Sequence, residues 1–499
     1  MQCHIVKRIV ILGGGTAGWM TAASLAKHFS KTTIKISVID SSAIGTVGVG
    51  EATIPTLRRF YAELGMSDQQ VLKATGGTIK LGIQFRGWQS RDSRFIHPFG
   101  GFGQQANGVA FHHYWLKAKA LGSTCELADY NFGLQLAQHQ KFLTPSTSPQ
   151  SELSVFDWAL HFDAVKFAAL MRRYAIENQV EHIDNNVVEV CRKDNGDISS
   201  LVLQNGQLVE GDLFIDCSGF SALLIDKTLK TPYLNWSEWL VCDSALAVQT
   251  EADEEPPPYT ISQAHAGGWQ WRIPLQHRQG NGLVYSSRYI SDENAQSTLL
   301  SNLTGATLNS PKKFSFIPGR RLQAWNKNCI AVGLSSGFLE PLESTSIALI
   351  ETAIEKIKRA FRHPFYTEES VKVFNELTAA EYERVRDFII LHYKANQRIG
   401  EPLWDHCRAM AVPETLQRKV DAFKRSGELI RYPLDIFGPP SWLAVYNGLK
   451  ITPDTYHSAV NKLDDQYLLS SLAGMRQSIA SAVQQAPRHH EYLQKNIYA

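Results

Sequence analysis

The order of apolar and polar positions divides the chain into recognisable elements. Arg8 to Leu12 is a β-branched strand run that enters a glycine cluster and then a helical run from Trp19 to Phe29. Thr33 to Ile39 reads as a second strand. The spacing predicts a helix between Phe156 and Glu177, with Ala168, Leu170, Met171 and Tyr174 as its apolar stripe. Val187 to Val190 and Leu201 to Gln204 read as strands about an Asn195-Gly196 turn, and Leu213 to Gly219 (LFIDCSG) as a buried strand returning to the first sheet. The polar stretch Glu251 to Pro258 (EADEEPPP) marks a solvated connection inside an inserted second sheet. In Gly267 to Pro274 (GGWQWRIP), alternation sets Trp269, Trp271 and Ile273 on one strand face and Gln270 and Arg272 on the other. Cys329 to Val332 is strand-like and Ala348 to Ile357 helical. In the last third, Val385, Phe388, Ile389 and His392 share one helix face.

Length and charge narrow the class of protein. A chain of 499 residues exceeds one small core and predicts two or three domains or one large composite one. Fifty basic against 48 acidic residues, a net charge of +2, give no electrostatic footprint for nucleic acid or an anionic membrane. Seven scattered cysteines without a Cys-x-x-Cys pair fit a reducing, cytoplasmic setting without structural zinc, and no metal site is expected. Glycines 13–15 interrupt the apolar run after Lys7 and Arg8, so it reads as fold rather than as a signal peptide. No run of about eighteen apolar residues predicts a membrane span. The expected partners are small molecules.

Chemistry enters first at Arg8 to Met20 (RIVILGGGTAGWM), where a strand runs into Gly13-x-Gly15-x-x-Gly18 and then a helix. Gly13 permits the tight turn, Gly15 the approach of a pyrophosphate to the helix N-terminus, and Gly18 close helix–strand packing. Asp40, ending the second strand, stands where an acid takes ribose hydroxyls. No second such fingerprint follows a strand, so one nucleotide cofactor is expected and no hydride-donor site. If that cofactor is a flavin, another protein must reduce it.

Three further stretches carry candidate groups. Gly333 to Ile347 (GLSSGFLEPLESTSI) places Glu343, Ser344 and Thr345 after a glycine-punctuated turn and before a helix, where unpaired backbone N–H groups attract anions. The same residues also fit a simple helix cap. Thr75 to Phe85 (TGGTIKLGIQF) carries Lys80 between glycines in an alternating strand, and Phe95 to Phe102 sets His97 and Phe99 two apart around Pro98. A glycine-rich loop, Gly45 to Pro55 (GTVGVGEATIP), is able to lie against a planar ring.

Taken together, GGGTAGW, GVGEATIP, the Lys80 segment, IDCSGF, the Trp269-x-Trp271-x-Ile273-Pro274 motif, VYSSR, GFLEPLEST and RDFIILHY resemble the flavin-dependent halogenases of the tryptophan halogenase type, in the family's order over most of the chain. The resemblance implies an α/β fold: an FAD-dependent monooxygenase-like (Rossmann-type) flavin module with an inserted β-sheet and a helical C-terminal substrate region. The boundaries it suggests are 1–365 for the discontinuous flavin module, with the insert at roughly 230–315, and 366–499 for the helical region. It implies FAD, used as FADH2 from a separate NAD(P)H-dependent flavin reductase, together with O2 and chloride or bromide. Halide becomes hypohalous acid near the flavin and travels through an internal tunnel to a lysine, matched by Lys80. Glu343 matches the carboxylate that polarises the electrophile or accepts the arene proton. Flavin contacts are implied at Gly13, Gly15, Thr16, Ala17, Gly18, Asp40, Gly50, Glu51, Ala52, Gly333 and Leu334, halide contacts at Thr345 and Ser346, and substrate contacts at His97, Phe99 and Trp442. Trp269 and Trp271 would keep substrate away from the flavin, and a homodimer is compatible with this picture.

Two departures from the pattern bear on specificity. Ser346 stands where the family writes glycine beside the halide amides. The polar clamp for a free amino acid finds no match, because Leu429 to Leu449 contains no glutamate. Indole, a substituted indole or a larger electron-rich arene is therefore expected in preference to free tryptophan. Alternatives are free tryptophan, a carrier-bound arene, a flavin aromatic hydroxylase, and a non-catalytic flavin-binding redox sensor.

Overall fold

The computed structural model describes residues 3–43, 50–146, 148, 151–361 and 364–497. Two compact units are each assembled from three separated stretches. Met1–Gly77, Phe162–Ser244 and Phe314–Glu383 form the first; Thr78–His161, Ala245–Lys313 and Arg384–Ala499 form the second.

A six-stranded sheet organises the first unit in the order Trp325–Asn326, Cys329–Ala331, Leu213–Asp216, Arg8–Leu12, Lys35–Asp40, Glu181–Asp184. Every neighbouring pair is parallel except the one at the Trp325–Asn326 edge. Parallel strands covered on both faces must be apolar throughout, and Ile9, Val10, Ile11 and Leu12 are all buried. The LFIDCSG strand does return to this sheet, with Ile215 opposite Ile11. Register brings Leu12, Asp216 and Ala331 to one edge, beside Ile39 and hence Asp40. That carboxyl edge is where open α/β sheets hold ligands. Helix Thr16–His28 leaves it and packs against helices Ala164–Glu177 and Ser346–Ala360.

The second unit holds the inserted sheet. Its seven strands run in the order Lys312–Ser315, Ser244–Thr250, Gln279–Tyr285, Gly268–Pro274, Thr260–His265, Gly82–Arg86, Arg94–Pro98. Thr260–His265 pairs parallel with Gly82–Arg86, which ties the Lys80 segment to the insert. The EADEEPPP connection lies between two strands of this sheet, and Gly268–Pro274 is the strand carrying Trp269 and Trp271. Helix Glu368–Lys394, which carries Phe388 and His392, and helices Pro402–Ala409, Glu414–Ser426, Pro439–Gly448, Asp465–Gln485 and His489–Ile497 make up most of the C-terminal region.

One expected element is not there. No helix covers Phe156 to Asp163; Ala159–Asp163 is a strand, and the helix begins only at Ala164, where the Asp163 carboxylate accepts from Val165 and Lys166 N–H. All five strand residues are buried, and an apolar run of that length reads equally well as helix or strand until its pairing partner, Thr78–Lys80, is known. Among the described residues no helix is long and apolar enough to cross a membrane, and no cluster of His, Cys, Asp and Glu has the spacing of a metal site.

Candidate active site

At the carboxyl edge of the six-stranded sheet, the glycine cluster is shaped by close contacts. Gly13 has φ +114°, and a Cβ there would collide with the Cys217 carbonyl; a Cβ on Gly18 would collide with the Gly13 carbonyl. A Cβ on Gly14 would strike the Asp40 carboxylate, which places that acid against the turn. Gly15 differs from its neighbours, since nothing lies within 4 Å of a Cβ built on it. It is the N-cap of helix Thr16–His28, with no side chain capping it and no acid in the first turn. An uncapped helix end facing open space is what a pyrophosphate needs. Gly333, with φ +73°, packs on Ala17 (2.9 Å from its would-be Cβ), in the first turn of the same helix.

Asp40 is held by two residues the sequence did not reveal. Arg172 Nη2 lies 3.0 Å from His182 Nδ1, and a guanidinium only donates, so His182 Nε2–H donates to Asp40 Oδ1 at 2.6 Å. His182 thus fixes one carboxylate oxygen, while Asp40 Oδ2 lies against Gly14. Glu51 and Ala52 lie in the short strand Gly50–Ala52, and burial pushes the Glu51 carboxyl up to about 7. The part of the glycine-rich loop from Gly45 to Val49 lies outside the described residues. The residues present fit a dinucleotide such as FAD.

The Glu343 loop belongs to the same unit. Cys329–Ala331 feeds the turn Gly333–Ser335, whose Ser335 hydroxyl bonds the Asp216 carbonyl. A second turn, Pro341–Glu343, ends at Ser344 in the left-handed conformation, φ +59°. This conformation costs a non-glycine residue roughly 1 kcal/mol, and it turns the chain directly into helix Ser346–Ala360. Glu343 is 1% exposed at the head of that helix. Thr345 is the N-cap but does not cap: its buried Oγ1 has no hydrogen-bond partner, and the first turn holds no acid. The expected start at Ala348 thus moves two residues earlier, to Ser346, and the helix head keeps the character of an anion site. Further along the helix, the buried Glu351 is pushed up to about 8 by burial, and its Oε1 has no hydrogen-bond partner.

Lys80 belongs to the second unit, where it ends the strand Thr78–Lys80 at 0% exposure, its Nζ 5.4 Å from the centroid of the Phe99 ring. Two buried histidines fix this strand. The Thr78 hydroxyl donates to the Pro274 carbonyl (2.7 Å) and so accepts from His161 Nδ1–H (2.9 Å), while His161 Nε2 accepts from Thr260 Oγ1 (2.9 Å). Ile79 N–H donates to His489 Nε2 (3.2 Å), and His489 Nδ1–H donates to the Pro256 carbonyl (2.7 Å). Both rings are therefore neutral. Burial, then the Lys80 charge, then His489 hold His161 well below the usual histidine value, and burial takes His489 down to about 4. No sequence signal pointed to His161 or His489.

An aromatic network joins the remaining candidates inside the second unit. Trp271 meets Trp269 (6.1 Å between centroids), Trp269 meets Trp88 (6.3 Å), and Trp88 meets His392 (6.1 Å). His392 meets Phe388 (5.1 Å), which carries both His97 (5.7 Å) and Trp442 (5.0 Å). The tryptophan pair, His97 and Trp442 are thus brought into one packed system, and the one-face spacing of Phe388 and His392 is what places them in it.

Comparison with known proteins agrees in extent and kind. Residues 8–465 match the family model described as tryptophan halogenase. Tryptophan 6-halogenase ThaL from Streptomyces albogriseolus is 34% identical over 452 residues, covering 86% of this chain and 84% of ThaL. Among solved structures, BrvH, a flavin-dependent halogenase from Brevundimonas sp. BAL3, is 50% identical with a TM-score of 0.95, over 98% of this chain and 99% of BrvH. Xcc4156, a flavin-dependent halogenase from Xanthomonas campestris, is 40% identical with the same TM-score, over 99% and 98% of the two chains.

Proposed function

Because the chain belongs to the tryptophan halogenase family and is an enzyme, we propose that it halogenates an electron-rich aromatic, indole or a substituted indole, with Lys80 and Glu343 as its catalytic residues. The observation that carries this reading is Lys80 itself: a fully buried lysine on a strand locked by two neutral histidines, its ammonium over the Phe99 ring. A solvated surface lysine needs none of this.

Reduced FAD with oxygen, when bound, supplies the oxidising equivalent that turns halide into hypohalous acid. Gly13, Gly15, Thr16, Ala17 and Gly18 hold its pyrophosphate end, Asp40 its ribose, and Glu51, Ala52, Gly333 and Leu334 complete the cradle. Thr345 and Ser346 hold chloride or bromide with the N–H groups at the head of helix Ser346–Ala360, and the unbonded Thr345 hydroxyl supports that assignment. Trp269 and Trp271 form a wall that keeps the arene away from the flavin.

Lys80 then directs the electrophilic halogen, by hydrogen-bonding hypohalous acid or as a haloamine. The arene's π electrons form the carbon–halogen bond as the bond from halogen to oxygen or nitrogen breaks. Glu343 accepts the ring proton, a role suited to a buried carboxylate. His97, Phe99 and Trp442 orient the ring. A single glycine fingerprint supports a separate NAD(P)H-dependent flavin reductase as partner, and seven scattered cysteines without a Cys-x-x-Cys pair support a cytoplasmic setting.

Mass spectrometry of products tests this, using indole, tryptophan and phenols with FAD, a flavin reductase, NADH, oxygen and either chloride or bromide. Halogenated indole without halogenated tryptophan, lost in Lys80→Ala, is the expected result. Efficient halogenation of tryptophan would remove the substrate assignment, and oxygenated products formed without halide would remove the chemistry.

A further inference from the structure

Behind Trp442 lies a buried charge arrangement that the proposed chemistry does not use. Lys419, on helix Glu414–Ser426, is 2% exposed, and its Nζ sits 4.0 Å from the centroid of the Trp442 ring. It bonds Asp435 Oδ2 at 2.7 Å, and Asp435 also accepts from Tyr432 N–H at 2.7 Å. The pair is neutral as a whole, but its positive end faces the indole. Burial draws Lys419 below the usual lysine range, and the Asp435 carboxylate works against that shift.

The surroundings tip the balance further toward positive charge. Arg384 stacks on Tyr432 at 4.6 Å, and its Nε has no hydrogen-bond partner. Asp387 is taken up by Arg386 (2.8 and 3.0 Å) and by the Thr415 hydroxyl. Three cations therefore stand against two carboxylates, both of them already engaged. On helix Pro439–Gly448, Trp442 and Tyr446 are one turn apart, and both the Trp442 indole N–H and the Tyr446 hydroxyl are buried without a partner. The Trp442 ring packs on Phe388 (5.0 Å between centroids), which also carries His97.

From this we propose that the Lys419–Asp435 pair and Trp442 set substrate preference: among indoles, one bearing a hydrogen-bond-accepting group, neutral or anionic, is favoured, and one bearing an ammonium side chain is rejected. The inference rests on the reading of His97 and Trp442 as substrate contacts. A second ammonium near Trp442 would meet the positive end of the pair, while Asp435 and Asp387 are already engaged elsewhere. An acceptor would satisfy a buried donor that otherwise has none. Lys419 and Asp435 are positioning residues here, acting through the Trp442 ring.

Calorimetric binding of indole, indole-3-acetate and tryptamine to the intact enzyme tests this without turnover. Indole-3-acetate is expected to bind about tenfold or more tightly than tryptamine, the scale of one charge-assisted hydrogen bond. In Lys419→Met combined with Asp435→Asn, which removes both charges of the pair together, the ratio is expected to fall to about threefold or less. Tryptamine binding as well as indole-3-acetate, an unchanged ratio in a double variant that melts like the parent, or no binding of any of the three at millimolar concentration would each overturn the proposal. Should the double variant fail to fold, Trp442→Phe decides: about fivefold loss for indole-3-acetate with tryptamine unmoved supports it, and no loss overturns it. Product analysis with the same ligands keeps the two readings apart. Halogenation without preference between them removes only this inference, whereas absence of halogenation beside an intact binding ratio removes only the assigned chemistry.

Discussion

The two units build their sites from different materials. In the first, the cradle at Gly13–Gly18 and the head of helix Ser346–Ala360 are backbone sites, shaped by positive φ angles and by uncapped helix ends. In the second, Lys80 and Trp442 are held by buried side chains drawn from residues 78, 161, 260, 419, 435 and 489. A backbone site tolerates change in most side chains around it but not an added Cβ. A side-chain site tolerates little change at any of its members, because each lost partner leaves a buried polar atom unpaired.

The sharpest test of that contrast is removal of the functional groups themselves. Lys80→Ala and Glu343→Gln are each expected to lower the halogenation rate by about 10³-fold or more while FAD affinity stays within about twofold. Single-turnover assays paired with flavin titration check this. Loss of flavin binding in Lys80→Ala would show that the two units do not divide the work as described.

Glycine substitutions come next, and they separate folding from binding within one motif. Gly18→Ala forces a Cβ into the Gly13 carbonyl and is expected to cost about 2–3 kcal/mol of stability. Gly15→Ala meets no protein atom within 4 Å, so its melting temperature should stay near that of the parent while FAD affinity falls about tenfold. Thermal melts with and without FAD measure both.

Acid should then act on the two units in opposite senses. His489 and His113 are held at about 4, below the ordinary 6.5, chiefly by burial. Their neutral forms are favoured by the fold, so this contribution is intact above pH 6.5 and is lost as pH falls toward 4, by about 2 kcal/mol at pH 5 for the fully enclosed His489. His161 acts in the same direction. In the first unit, Glu351 is raised to about 8, so its burial costs most at alkaline pH and least below 4.5. Hydrogen exchange corrected for intrinsic rates should show Thr78–Leu81 opening between pH 7 and 5 while helix Ser346–Ala360 gains protection. Parallel changes in both would break the comparison.

The smallest effect is expected at Ser346. Ser346→Gly restores an unobstructed amide at the helix head and is expected to change the chloride-to-bromide product ratio by only about two- to fivefold, because the N–H donors remain. Competition between the two halides in one reaction vessel measures it.

How much was legible follows the same division. The strand, glycine turn and helix at Arg8–His28, the return of Leu213–Asp216, the strand bearing Trp269 and Trp271, and the helical C-terminal region were all readable, since each announces itself by local periodicity or by turn residues. The strand Ala159–Asp163 has the pattern of a helix in sequence, because its partner strand lies some eighty residues earlier and no local pattern names it. His182, which orients Asp40, lies 142 residues from it. His161 and His489 approach the Lys80 strand from separations of 83 and 410 residues.

By itself, then, the sequence determined the glycine turn after the first strand, the position of the lysine and of the acid at the helix head, and the order of motifs that marks the family. Those properties are local: a φ angle, a helix end or an alternating strand depends on residues within a turn or two of one another. Only the tertiary structure decided that His161 and His489 stay neutral beside Lys80, that Arg172 selects the tautomer of His182, and that Lys419 stacks its charge on Trp442. Protonation, tautomer and ion pairing depend on which groups share a low-dielectric interior, and that is settled by contacts between distant parts of the chain.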